Sequence, residues 1–376
     1  MGKFLRKLNE RLQLVDKEGY RREQYQSYMT GPEWRNVEMA SEYGEYLGQN
    51  KSMFHFPYFR QIGGLWRVFY NSYQAARKYN SHWEIISSEY MVMDVFVSAF
   101  TTMELLPKAL LSLITFPFFN KENPSEMQQH LADFYKKYAK DLQTIPFYDH
   151  EYKAIHEDLA AKYKTCHNWT WGDWFSWKVV STELFARRLI SSPLSWWFHQ
   201  DNNLVPATTD LLVKLNVPDE TDFEVAKSQL RNKIESLSKE HTLAIVDDHV
   251  YERGKIKEKH GQSYTSVYAR ISAPRYAAFQ PAVQAMAQNG IHTRLLAGQE
   301  QVQVKCIIEA EDGAKLNVRQ KAANLVRHVD PLYTYENNID STKKFCLFDV
   351  PARDLHKTLH RLSNQEGVET KFIHNF

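Results

Sequence analysis

Residues Met91–Phe119 read MVMDVFVSAFTTMELLPKALLSLITFPFF, and 19 of these 29 residues are apolar. A chain carrying such a stretch must hide it, in a helical core or against a membrane, because apolar surface left in water costs about 25 cal/mol per Å2. Its first part repeats Val92, Phe96, Ala99, Met103 and Leu106 at helical spacing, with Asp94, Ser98 and Thr101 on the other side. That is an amphipathic helix, not one apolar all round. Pro107 removes a backbone donor and crowds the preceding turn, so the helix is expected to end or kink there and fold as a helical hairpin. The longest uncharged run, Ala109–Asn120, has 12 residues, short of the roughly 20 that a span needs. The stretch is therefore expected to form the core of an N-terminal helical domain, with membrane contact as the alternative.

Helical patterns surround it. Leu5, Leu8, Leu12 and Val15 share one face of a basic N-terminal segment, and Gly31-Pro32 breaks the chain after it. Residues 36–90 are dense in Tyr, Phe and Trp, a pattern that belongs to a core, with Gly63-Gly64 placed to start or hinge a helix. Met127, Leu131, Phe134, Tyr138 and Leu142 line a further helix. Tyr152, Ile155, Leu159 and Tyr163 line the next, and the short connection predicts antiparallel packing of the two. Residues 166–199 hold six of the nine tryptophans, Trp169, Trp171, Trp174, Trp177, Trp196 and Trp197. Tryptophan favours places dry at one end and wet at the other, so these six are candidate binding residues at a core edge or an interaction surface.

Around residues 200–208 the chain becomes polar, which sets a boundary. The expected organisation is a helical, aromatic-rich domain over 1–205, a connector with an amphipathic helix over 206–240, and an α/β domain over 241–376. The last rests on a repeat. Ser266–Leu296 and Lys343–Ile373 align without a gap, matching Pro274 with Pro351, Gln288 with Gln365, Gly290 with Gly367 and Thr293 with Thr370. Each unit reads strand, proline, helix, glycine, strand, with proline and glycine at the expected helix boundaries. Pro281 departs from the pattern and is expected to delay or kink its helix. Two βαβ units in one small sheet, with a further strand over 301–308 and a helix over 314–328, give the fold class. It is α+β, a helical N-terminal domain followed by a ferredoxin-like α/β sandwich.

Composition narrows the chemistry. A net charge of +2 over 376 residues commits the chain to no polyanion, and the sheet lacks an RNA-binding signature, so nucleic acid is disfavoured. Three scattered cysteines without a CxxC pair fit a reducing compartment, and residues 1–20 show no secretory signal. Cytoplasmic exposure, with peripheral membrane attachment as the variant, is the expectation. The motifs for nucleotide phosphates, serine nucleophiles, zincin helices and di-iron sites are missing from the sequence, and it names no cofactor.

Three weaker groupings remain. His356 and His360 stand at i and i+4, the spacing at which two imidazoles reach one metal. Asp247, Asp248 and His249 end an apolar run, where carboxylates and an imidazole serve as a base or hold Mg2+ in a catalytic site. Arg253, Lys255, Lys257 and Lys259 alternate, so a strand would present four cations to a phosphate or an acidic partner. Solvated turns, edges and hairpin tips explain all three more simply. The reading is thus a non-catalytic interaction or scaffold protein with a protein partner and an optional membrane surface. The alternatives are a metal-dependent hydrolase or transferase using the Asp/His groups, and a nucleic-acid or phosphate binder.

Overall fold

The computed structural model describes residues 30–374 apart from 78–79, 144, 146, 168, 199–207, 219–220, 258–262, 276–277, 298–299 and 310–330; of 89–90, 197–198, 247–257, 263 and 374 it describes the backbone alone. The helices expected over 3–17 and 314–328 lie outside the described residues. The chain divides into two compact units, one from Met29–Asn202 with Tyr335–Ser341, the other from Asn203–Thr334 and Thr342–Phe376. Two four-stranded antiparallel sheets and many helices make the fold α+β.

The first unit is built on helices α1 (Gly31–Gly48), α2 (Tyr58–Ala76), α3 (His82–Ile86), α4 (Glu89–Thr115), α5 (Glu126–Asp141), α6 (Tyr152–Thr165) and α7 (Trp171–Phe198). Gly31-Pro32 opens α1 instead of merely breaking the chain. Thr30 caps it in a capping box with Glu33, and the proline sits in the first turn, where no intrahelical donor is needed. Gly44 lets α1 and α5 approach closely, since a Cβ there would stand 2.9 Å from the Lys136 backbone nitrogen. The core is aromatic: Tyr43 meets Phe56 and Tyr135 edge-on at 4.6 and 4.5 Å between ring centroids. Met127, Leu131 and Tyr138 of α5 and Tyr152 and Leu159 of α6 are buried, as their spacing predicts.

Two expectations change here. The helix does not stop at Pro107; α4 runs unbroken for 27 residues. Pro107 leaves the Met103 carbonyl without its intrahelical donor, and the Glu104–Lys108 ion pair, 3.3 Å, bridges the turn it weakens. The expected hairpin is therefore a single helix. Gly63-Gly64 lies inside α2, not at its start. Gly64 is needed because Asn338 packs against it: a Cβ would stand 2.7 Å from the Asn338 Nδ2.

The second unit holds β1 (Thr208–Pro218), α8 (Phe223–His241), β2 (Ala244–Lys257), β3 (Ser263–Pro274), α9 (Phe279–Gln288) and β4 (Ile291–Leu296). It continues with β5 (Gln301–Glu309), β6 (Pro331–Glu336), β7 (Lys343–Pro351), α10 (Leu355–Ser363) and β8 (Val368–His374). The sheet orders are β2-β3-β1-β4 and β6-β7-β5-β8. The two repeats, β3-α9-β4 and β7-α10-β8, thus lie in different sheets and not in one. The third strand partner of the first sheet comes from the segment read as a connector: β1 pairs with β3 from Thr208↔Pro274 to Pro218↔Tyr264 and with β4 on its other side. Ala226, Leu230 and Ile234 of α8 join the same core. One hydrophobic cluster, from Leu211 and Val213 through Val304 and Cys306 to Phe348 and Leu359, runs through both sheets. Gly290 and Gly367 follow α9 and α10 at φ 75° and 68°, the left-handed geometry that ends helices on glycine. Pro281 falls in the first turn of α9 and leaves the helix intact.

Candidate functional site

The strongest functional feature of the helical unit is the outward face of α4. Val92, Phe96, Ala99, Met103 and Leu106, the stripe that the sequence assigns to a core, are all exposed. So are Val95, Pro107, Leu110, Leu113 and Ile114, and beyond the helix Phe116, Pro117 and Phe118. From Val92 to Phe118 every exposed residue before Asn120 is apolar, with Met103 65% and Ile114 69% exposed. The helix is inverted relative to the surface helix of a soluble protein, which turns its polar face to water.

Most of its polar side chains point inward and find partners there, while the Ser98 hydroxyl and the Asp94 Oδ1 are buried without one. Thr101 and Asn36 of α1 exchange hydrogen bonds at 2.8 and 3.0 Å. The Trp66 indole of α2 donates to the Thr102 hydroxyl at 3.0 Å, and Thr102 in turn donates to the Ser98 carbonyl. The Ser112 hydroxyl donates to the Phe54 carbonyl at 2.5 Å. Against α7, Arg187 grips Glu104 with two bonds of 2.8 and 3.0 Å and reaches Glu183 at 2.7 Å. Lys108 donates to Glu183 at 2.5 Å, and the Tyr135 hydroxyl donates to the same carboxylate oxygen at 2.7 Å. Two carboxylates and two cations share this dry cluster, so it carries no formal net charge. Such a cluster survives burial only because every member is paired.

The sequence shows Glu104–Lys108 and Glu183–Arg187 as i,i+4 pairs inside two long apolar helices. That spacing was the available signal for the cluster, and only the fold shows that the pairs clasp one another.

α4 lies between α2 and α7, through these contacts. Exposed charges on those two helices are Arg60 and Arg67 on α2 and Lys178 and Arg188 on α7, all positive, while Asp173 and Glu183 of α7 are buried. Large apolar side chains are exposed on both as well: Phe59, Trp66 and Tyr70 on α2, Phe185, Leu189 and Trp196 on α7.

The tryptophans separate. Trp169, Trp171 and Trp196 are exposed. Trp174 is half-buried and sits under the Lys178 ammonium at 5.8 Å. Trp177 belongs to the core, stacked on His156 and Tyr163 at 5.3 and 5.5 Å. Trp197 is in α7, and its side chain lies outside the described ones.

The other candidates sit in the α/β unit. Asp247, Asp248 and His249 fall on β2 where its register with β3 shifts, between Ile245 and Val250. A second shift, between Arg253 and Ile256, interrupts the alternation of Arg253, Lys255 and Lys257 along the strand. Lys259 lies outside the described residues. His360 is exposed and bonded to Asn364 at 3.2 Å. His356 instead faces His292 of β4, ring centroids 4.5 Å apart. Burial, then the neighbouring His292 and Lys357, push His356 down to about 4, against the pull of Asp354. Burial with Lys214, Lys357 and Arg294 lowers His292 as well. The fold therefore gives His356 a different imidazole neighbour from the one its helix spacing suggests.

Among the described residues, one group of metal-ligating side chains gathers: Glu126 and His130 of α5 with Cys166 after α6. The sequence reading passed over it, although an acid and a histidine at i and i+4 on one helix are a recognisable signal. No family model, curated protein or solved structure matches this chain.

Proposed function

We propose that this chain is a non-catalytic interaction protein that seats its helical unit on the cytoplasmic surface of an anionic membrane. The observation that carries the reading is the inverted α4: an outward face without a charge from Val92 to Phe118, backed by a neutral buried ion cluster. Exposed apolar patches of this extent mark interaction sites. Lipid is favoured over a protein groove by the charges on the two helices that flank α4, against one exposed acid, Glu84, on α3. Four exposed cations and no exposed acid on the described parts of α2 and α7 complement anionic headgroups.

The helix lies in the plane of the membrane in this reading. Met91–Thr115 is long and apolar enough to cross a bilayer by length and composition. A crossing would, however, carry Arg67 and Arg188 into hydrocarbon, since their neighbours Trp66 and Arg187 bond to Thr102 and Glu104 near the middle of α4. Lying flat, α4 sinks about 5–10 Å and leaves both guanidinium groups at headgroup level.

The α/β unit, in the same proposal, is a pair of ferredoxin-like modules in tandem. Support comes from the β1-α8-β2-β3-α9-β4 order with sheet order β2-β3-β1-β4, and from the matching order β6-β7-β5-β8 in the second sheet. That fold hosts many activities and does not choose among them. The experiment is sedimentation with liposomes with and without anionic lipid, for the unaltered protein and a Leu110→Glu/Leu113→Glu variant. Folded protein that stays in the supernatant with anionic vesicles would end the proposal.

A further inference from the structure

α5 begins at Glu126, so Glu126 and His130 stand one turn apart on one helix face. Cys166 caps the C-terminus of α6, its N–H donating to the Lys162 carbonyl. The chain then passes close to the first turn of α5, where the His167 backbone N–H donates to Glu126 Oε2 at 3.2 Å. This brings a carboxylate oxygen, an imidazole nitrogen and a thiol sulfur within 4.8 Å of one another.

The Glu126 Oε1 and His130 Nε2 are 3.9 Å apart, too far for a hydrogen bond. Two bonds of about 2.1 Å at a tetrahedral ion span about 3.4 Å, so a shift of a few tenths of an ångström in each side chain makes both ligands of one ion. Cys166 is a free, half-buried thiol, and the charges of both Glu126 and Asp173 act on it. Asp173 itself is engaged elsewhere: it accepts from the Asn123 amide at 2.9 Å and from the Thr170 N–H at 2.7 Å.

We propose that Glu126, His130 and Cys166 form a zinc site, with the fourth position taken by water. The donor set selects the ion. A thiolate beside an imidazole excludes Mg2+ and Ca2+, which take oxygen ligands, and one sulfur, one nitrogen and one oxygen suit borderline-soft Zn2+. Binding releases the thiol proton to solvent, and lone pairs of the Cys166 Sγ, a His130 ring nitrogen and a Glu126 carboxylate oxygen replace waters of the hydrated ion, which keeps one. The ion ties the first turn of α5 to the chain leaving α6, beside the His167–Glu126 bond and the Ser125–Asp173 bond. It is independent of the lipid-facing surface, and neither proposal needs the other.

The test uses untagged full-length protein stripped with a chelator. Zn2+ is titrated against a chromophoric competitor, and Co2+ is then used as a spectroscopic probe. The expected result is one equivalent of Zn2+ whose affinity falls more than about tenfold, over 1.4 kcal/mol, in each of Cys166→Ser and His130→Ala. Co2+ should give strong tetrahedral visible bands and a sulfur-to-cobalt charge-transfer band that Cys166→Ser abolishes. Unchanged circular dichroism confirms that the variants fold. Failure to take up Zn2+ would overturn the site, and so would uptake that both variants leave unaltered or a cobalt spectrum without the charge-transfer band.

Discussion

Replacing Leu110 and Leu113 by glutamate tests the lipid-facing reading of α4 at its centre. The two side chains are 51% and 56% exposed, so the substitutions remove little packing from the protein itself. Covering the exposed half of a leucine with lipid is worth about 1 kcal/mol at the usual transfer coefficient. Losing two of them weakens partitioning by about 2 kcal/mol, or roughly 30-fold. Two carboxylates brought against an anionic surface add about 1 kcal/mol each in repulsion. The sum of about 4 kcal/mol predicts a loss of roughly a thousandfold in the partition coefficient onto anionic vesicles. The assay is a lipid titration by sedimentation or tryptophan fluorescence, with thermal unfolding as the control for folding. A variant that unfolds normally and binds within about threefold of the unaltered protein, under 1 kcal/mol, would refute the reasoning, because the face would then not be the one in contact.

Other consequences lie within the same helical unit. Arg187→Leu strips Glu104 of its two-bond partner in a dry cluster, which should cost about 3–5 kcal/mol in denaturant unfolding; a loss below about 1 kcal/mol would mean that water reaches the cluster. Gly64→Ala should cost about 1–3 kcal/mol by displacing Asn338 from the Arg60 carbonyl and the Gln61 side chain, 3.2 and 3.1 Å away. In an Asn338→Ala background the same change should cost almost nothing, which a double-mutant cycle reads directly.

His150 is buried against Tyr138 and Tyr152, and burial pushes it down to about 4, with Arg187 acting in the same direction and Asp141 against it. A histidine depressed in the folded state binds fewer protons than the unfolded chain between about pH 6.5 and 4. Stability is therefore full above the unfolded value and declines as pH falls through that window, by about 3 kcal/mol for this residue. His150→Phe should flatten that part of the curve, and an unchanged pH profile would remove His150 as its source.

Local signals were legible where local chemistry decides. The buried stripes of α5 and α6 follow from helical spacing. Gly290 and Gly367 ended their helices in the left-handed geometry, which glycine adopts at the lowest steric cost. The matched boundaries of the two repeats were visible for the same reason. Pro107 misled because its effect depends on what surrounds it: an ion pair across the turn helps α4 to continue.

The candidate sites were less legible, since each depends on distant partners. Glu104 meets Arg187 and His356 meets His292 only through the fold, and the pairing of β1 with β3 brings together segments some 50 residues apart.

The sequence by itself determined that residues 91–115 form an amphipathic helix, because 3.6-residue periodicity is a property of the chain. Which of its two faces is turned inward was decided only by tertiary structure. Charged groups go wherever partners can pair them, and the partners of Glu104 and Lys108 stand on α7, more than 70 residues away. Once that clasp forms, the apolar stripe has nowhere to face but out.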